Sequence, residues 1–218
     1  MKKLFTLITA MAMTMAINAQ VITFGDVAVA NADLPEAWTA GDVKLVLTND
    51  GKPKIDTNEA NFGTTDEFTL FKTRLKLGGK SSNKRFLTLT VPSKGTVKIA
   101  ARTGKNSDNT RTIVLTQNDV ELVSKALDEA EAITVGEGDD AKKVYPYVTA
   151  SVEAGDIVIT FPVNSINIYA VEFVAESTDI HQVEAKSANN NTYNLAGQNV
   201  GKNYKGVVIA NGKKYVQK

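Results

Sequence analysis

The 218-residue chain has no cysteine. Disulfides, thiolate metal sites and a cysteine nucleophile are thereby excluded. So is the lipid anchor of a bacterial lipoprotein, which needs a cysteine at its cleavage site. Histidine occurs once, as His181 in a polar stretch. A general base needs a fixed partner and a pocket, so a Ser-His-Asp reading has nothing firm to stand on. There is no excess of either charge: 25 basic residues face 24 acidic ones. Without Lys2 and Lys3, 23 basic residues remain and the net charge is −1. A general nucleic-acid binder would need a basic excess. No apolar run reaches the ~20 residues of a membrane-spanning helix.

What is present begins with an address. Lys2 and Lys3 precede the apolar run Leu4–Ile17, and Asn18-Ala19 offers a small residue ahead of Gln20. This is the pattern of a cleavable secretory signal over residues 1–19, and it places the protein in the periplasm, at the cell surface or outside the cell. The mature chain is then organised around Phe68–Thr116. Apolar residues alternate there: Phe71, Leu75 and Leu77; Leu87, Leu89 and Val91; Val97, Ile99 and Ala101; Ile113 and Leu115. Polar residues fill the other phase, and Gly78-Gly79, Pro92–Gly95 and Gly104–Asn109 separate the runs with turn chemistry. Period-two alternation with one wet face is the mark of half-buried antiparallel strands.

The rest of the chain completes the sheets. Val21–Phe24 reads as an edge strand, Ala28–Thr39 as a loop carrying the only tryptophan, Trp38, and Val43–Thr48 as a strand. Asn49-Asp50-Gly51 reads as a hairpin turn with Lys54–Asp56 returning, followed by a polar loop over Asn58–Asp66 that carries Phe62. Asn118–Ala132 fits either a capped helical face or a turn into a strand; we read a strand over Val120–Lys125 and then a short loop or helical turn at Leu127–Ala130. Lys143–Ser151, Asp156–Phe161 and Ile166–Val174 are three further strands. Nine to eleven strands with no long helix predict an all-β antiparallel sandwich over residues 20–175. Residues 176–191 are polar and read as a linker. Residues 192–218 hold short strands around Ala196-Gly197 and Asn211-Gly212, a piece too small to hold a core by itself.

RLKLGG, LTLTVPSKGTVKIAARTG, DNTRTIVLT and INIYAVEFV together resemble the β-sandwich module of secreted Bacteroidetes pectate lyases and related polysaccharide-active proteins. The resemblance covers about Val43–Val174. It implies a jelly-roll carbohydrate-binding domain, sometimes with a structural calcium. The chain departs from that pattern by a longer insert over Lys125–Lys142 and by having no attached lyase domain. The tail, YNLAGQNV then KGVVI and NGKK, is similar to the C-terminal sorting-type motif of the same bacteria.

Sugar binding needs aromatic platforms and polar groups for hydroxyls and carboxylates. Trp38, Tyr145, Tyr147 and Tyr169 are the aromatic candidates. Arg74, Lys76, Lys98 and Arg102 share the polar phase of strands expected to be adjacent in one sheet, and would form a basic stripe suited to uronic acids. The carbohydrate-binding set is thus Trp38, Arg74, Lys76 and Arg102, with no catalytic residue assigned. For a metal, calcium on oxygen ligands is the fitting ion, with the acidic loop Glu137–Asp140 as the candidate place. The expected role is a secreted, non-catalytic carbohydrate-binding module for an acidic plant or host polysaccharide. A structural or adhesive surface protein without a small ligand is the alternative, and a polysaccharide-degrading enzyme a third.

Overall fold

The computed structural model describes residues 19–176, 192–201, 203–210 and 213–217. The chain divides into two compact units, Met1–Glu176 and Ser177–Lys218. Among the described residues there is no α-helix, and no helix long and apolar enough to cross a membrane. The strands of the first unit are β1 (Ala19–Thr23), β2 (Ala37–Ala40), β3 (Val43–Thr48), β4 (Lys54–Gly63), β5 (Phe68–Lys76), β6 (Phe86–Val91) and β7 (Gly95–Thr103). They continue with β8 (Thr112–Gln117), β9 (Val120–Ala126), β10 (Ile133–Val135), β11 (Lys142–Tyr145), β12 (Val148–Val152), β13 (Gly155–Thr160) and β14 (Ile166–Ala175).

These strands make the expected antiparallel, jelly-roll-like sandwich. The larger sheet runs β10-β11-β4-β5-β14-β7-β12, with β1 also on β14; the smaller runs β2-β3-β6-β13-β8-β9. One pairing, β11 with β4, is parallel. Alternation sets the inward rows. Leu45, Leu89 and Ile157 are register partners across the smaller sheet, and Val148, Ile99 and Val171 across the larger. All six are buried, and they form the core between the sheets. Each such side chain is worth roughly 1.5–3 kcal/mol of transfer free energy.

Several sequence expectations are corrected. The four strands over Phe68–Thr116 are not sheet neighbours: β5 and β7 lie in the larger sheet, β6 and β8 in the smaller. The short turns cross between layers, so β14 separates β5 from β7. For the same reason Asn49-Asp50-Gly51 is a crossover, not a hairpin, since β3 and β4 belong to different sheets. Asp50 there is pinned by the buried guanidinium of Arg85. The Ala28–Thr39 stretch is not wholly loop: it contains a 3-10 turn at Asn31–Asp33 and the strand β2. Asn58–Asp66 is largely strand, because β4 continues to Gly63 through a bulge between Thr57 and Ala60. Lys143–Ser151 is two strands, broken at Pro146, which has no N–H for the ladder. The ambiguous Asn118–Ala132 is β9 followed by a 3-10 turn at Glu129–Glu131, as read from the sequence.

The larger sheet also has a partial third layer. Ala60 and Phe71 are register partners on the β4–β5 hairpin, and with Phe62 they pack on Ala100, Tyr169 and Ala170 of β7 and β14. Ala100 alternates with the inward Ile99 and Ala101, so this second cluster lies on the side of the sheet away from the main core. The distal hairpin therefore folds over that outer face. Two bulges permit this and meet each other. Tyr169, the extra residue of the β14 bulge, donates its hydroxyl to Asn58 Oδ1 in the β4 bulge at 2.6 Å. Phe62 is the hub, with ring centroids 5.2–6.0 Å from Phe71, Tyr145, Tyr147 and Tyr169.

The second unit is a small sheet of β15 (Thr192–Asn194), β16 (Asn199–Val200), β17 (Gly206–Ala210) and β18 (Lys213–Gln217), ordered β16-β15-β17-β18. Asn194 Oδ1 accepts from the backbone N–H of Ala196 and of Gln198, 3.0 Å each, closing the expected turn at Ala196-Gly197. The signal segment expected up to Asn18, the linker expected over residues 177–191 with His181, and the turn expected at Asn211-Gly212 fall on residues outside those described.

Candidate functional site

The third layer leaves a groove of about 500 Å3 on the outer face of the larger sheet. The sheet face, the end of one hairpin and one strand break line it. Val21, Lys98, Thr149 and Glu172 come from β1, β7, β12 and β14. They are neighbours by register: Val21 opposes Glu172, Glu172 opposes Lys98, and Lys98 opposes Thr149. Phe62, Gly63, Thr64, Glu67, Phe68, Thr69 and Phe71 come from the end of the β4–β5 hairpin. Pro146 and Tyr147 come from the break between β11 and β12.

The hairpin end is built by its own chemistry. Thr64 N–H donates to the Glu67 carbonyl at 2.8 Å, and Thr64 Oγ1 accepts from Glu67 N–H at 3.2 Å. Gly63 has φ 150°, and a Cβ there would meet the Glu67 carbonyl and Phe68. Glycine is what lets the turn close against the strand. Within the groove Phe62 is fully buried, whereas Phe68 and Tyr147 are half-buried and present ring surface. Lys98 Nζ donates to Glu172 Oε1 at 3.1 Å. The Tyr147 hydroxyl is pushed up to about 12, first by burial and then by the negative charge of Glu172, with Glu67 adding to it and a hydrogen bond with Thr69 opposing. The groove thus offers two aromatic surfaces, two carboxylates, one ammonium and three threonine hydroxyls.

The segment that carries Tyr147 is fastened through Tyr145, two residues before it. The Arg102 guanidinium donates from Nε and Nη2 to both carboxylate oxygens of Glu129 at 2.8–3.0 Å. Its Cζ lies 4.1 Å from the centroid of the Tyr145 ring. The Tyr145 hydroxyl donates to Glu129 Oε2 at 2.8 Å, and burial is the first reason its pKa is raised. Glu129 follows the Asp128 side chain, which accepts from Ala130 N–H and starts the 3-10 turn. The insert noted over Lys125–Lys142 is thus the strap that carries Tyr145, Pro146 and Tyr147 across the sheet.

The structure separates the residues expected from sequence. Arg74, Lys76 and Arg102 do share the outer face: Lys76 and Arg102 flank Asn167 in register. However, Arg74 is paired with Asp56 at 2.6 Å, Arg102 with Glu129, and Lys98 with Glu172. Lys76 has no ion pair among the described residues, nor does its register partner Lys54. Trp38 lies on β2 opposite the inward Leu45. It packs edge-on against Phe24, centroids 5.2 Å apart and planes at 88°, as part of the main core's margin. None of the four lines the groove. Of the aromatic candidates, Tyr147 does, while Tyr145 and Tyr169 support it from the buried cluster. Phe68 and Glu172 went unnoticed in the sequence; the one available signal for the first was the pair Phe62 and Phe68 flanking an exposed polar turn. Among the described residues no group of three or more His, Asp or Glu is placed to hold a metal, the Glu137–Asp140 loop included.

No family model and no curated protein matches this chain. Solved structures do. A chain from work on the Ruminococcus flavefaciens cellulosome and its expansion in glycan recognition is 13% identical, covering 72% of this chain and 93% of that one, with a TM-score of 0.37. The catalytic unit of a GH87 alpha-1,3-glucanase from Streptomyces thermodiastaticus strain HF3-3 is 15% identical over 68% of this chain, with a TM-score of 0.34. A GH87 alpha-1,3-glucanase catalytic domain in complex with nigerose is 10% identical over 62% of this chain, with a TM-score of 0.32. The chain spans 30% and 28% of the length of those two glucanases.

Proposed function

We propose that this protein is a secreted, non-catalytic carbohydrate-binding module whose sugar lies in the groove between the β4–β5 hairpin end and Tyr147. One observation carries the reading: half-buried aromatic rings, Phe68 and Tyr147, share a concave site with carboxylates and hydroxyls. A sugar has apolar C–H faces that stack on rings and hydroxyls that need polar partners, so it matches both kinds of surface at once. A purely structural protein has no need of such a cleft. The test is binding to a glycan panel, with a turnover screen on the same glycans. Tyr147→Ala should weaken binding by at least about tenfold, equivalent to about 1.4 kcal/mol, in a chain that is less stable for the loss of the ring's packing on Phe62 but still folded at the binding temperature. Binding with no bond cleavage supports the module; turnover replaces it with an enzyme; no binding to any glycan removes it.

A second reading places an acidic glycan on the row that holds Lys54, Lys76 and Arg102. It is favoured by Lys54 and Lys76, which stand in register with no carboxylate between them. Here Lys54→Gln with Lys76→Gln should weaken binding to a uronate polymer, most of all at low salt. Export is part of the first reading, and the mature chain should begin at Gln20 on N-terminal sequencing.

A further inference from the structure

Resting on the reading that the groove holds a sugar, we infer that its ligand is a linear oligosaccharide laid across the strands, with about three consecutive units in contact. The floor of the groove is a single register row, Val21–Glu172–Lys98–Thr149, on the four strands β1, β14, β7 and β12. The rows on either side of it do not widen the floor. Two residues along the strands in one direction, Ala170 and Ala100 are buried under the third layer. Two residues the other way stand Ala19, Val174, Thr96 and Ser151, of which only Ala19 borders the groove. The floor is thus one row wide and four strands long, and its long axis runs across the strands.

Neighbouring strands lie about 4.8 Å apart, so the row spans roughly 14 Å, close to the length of about three pyranose rings in an extended chain. The centre of the row pairs a donor group with an acceptor group, because Lys98 Nζ donates to Glu172 Oε1 at 3.1 Å. An ammonium has three donors and a carboxylate about four acceptor sites, and this pair uses one of each. Adjacent hydroxyls of one ring can therefore bind the pair together, one donating to Glu172 and the next accepting from Lys98. The unit on one side of that ring meets the half-buried Val21, and the unit on the other meets the exposed Thr149 hydroxyl. Phe68 and Tyr147, lining the same groove, supply ring surface for the C–H faces. β12 is the last strand of its sheet, so the floor ends at Thr149 and a longer chain passes over the edge into solvent.

The experiment uses the full chain and titrates it with series of linear oligosaccharides, one to six units long, built of glucose, xylose, mannose or galactose in several linkages. In a series that binds, each unit up to the third should tighten binding by several-fold, and each unit beyond it by less than about twofold. Thr149 is exposed on an edge strand, so Thr149→Val removes a hydroxyl without disturbing the core. It should shrink the trisaccharide's advantage over the disaccharide by several-fold. Thr96→Val, on the same face but off the floor row, should leave that advantage as it is. Affinity that is flat with length or climbs at one rate through six units, an advantage that Thr149→Val leaves intact, or a larger loss in Thr96→Val than in Thr149→Val would overturn the crosswise three-unit seat and leave the groove as a sugar site. Binding that Tyr147→Ala does not alter, or no binding in any series, would instead remove the site itself and the seat with it.

Discussion

Glu129 accepts hydrogen bonds from Arg102 and Tyr145 while its side chain is only 14% exposed, and on this one carboxylate the strap is fastened. Glu129→Gln keeps the shape but loses the charge, and should cost about 1–2 kcal/mol in denaturant unfolding. It should also weaken glycan binding, because Tyr147 follows the strap. Asp108 is a second such carboxylate, paired at 2.9 Å with Arg111, whose carbonyl accepts from Leu127 N–H at the start of the strap. Its carboxyl is held at about 2, below the ordinary 3.8, by the Arg111 guanidinium and by the side chain and backbone N–H of Thr110. The folded-state value lies below the unfolded one, so this stabilisation is present above about pH 4 and is lost as pH falls toward 2. Asp50, lowered by its hydrogen bond with Arg85, works in the same direction. Thermal melts between pH 5 and pH 2 should therefore show stability falling toward acid, with a shallower fall in Asp108→Asn. The outward direction of Arg74 and Arg102 was legible from alternation alone. Their partners were not, because Asp56 and Glu129 lie 18 and 27 residues away, the first brought in by strand register and the second by a 3-10 turn laid against β7.

At the scale of elements, the strands that could be read directly were those with uninterrupted alternation, such as β3, β6 and β8. Those that could not were the ones whose phase slips. The bulge at Thr57–Ala60 shifts β4 by one position, so Ile55 and Phe62 both bury although they stand an odd number of positions apart. A period-two reading sees a polar loop there. Trp38 was hidden for a different reason: β2 is four residues long and follows Pro35, so it carries too few alternations to register as a strand. The groove depends on the slipped element. Gly63→Ala introduces a Cβ against the Glu67 carbonyl at φ 150°, and should cost about 1–3 kcal/mol in an unfolding titration. Binding to whichever glycan the wild type holds should fall with it, since Glu67, Phe68 and Thr69 move together.

For the molecule as a whole, the sandwich and its class were legible, while the third layer and its groove were not. The first follows from local periodicity; the second requires two bulges to meet and a strap to cross a sheet, events set by tertiary packing. Both hydrophobic clusters of the first unit draw only on residues from Val21 to Ala175. Deleting residues 187–218 should accordingly leave the sandwich's melting midpoint within about 2 °C of the full chain, read by calorimetry. The sheet order has one further consequence, for timing. The last strand of the sandwich, β14, is buried in the middle of the larger sheet, between β7 and the pair β1 and β5. A growing or emerging chain can form its early hairpins, but it has no way to close the larger sheet until Ile166–Ala175 arrives. Every nascent form shorter than that keeps the larger sheet in two unjoined parts, β10-β11-β4-β5 and β7-β12.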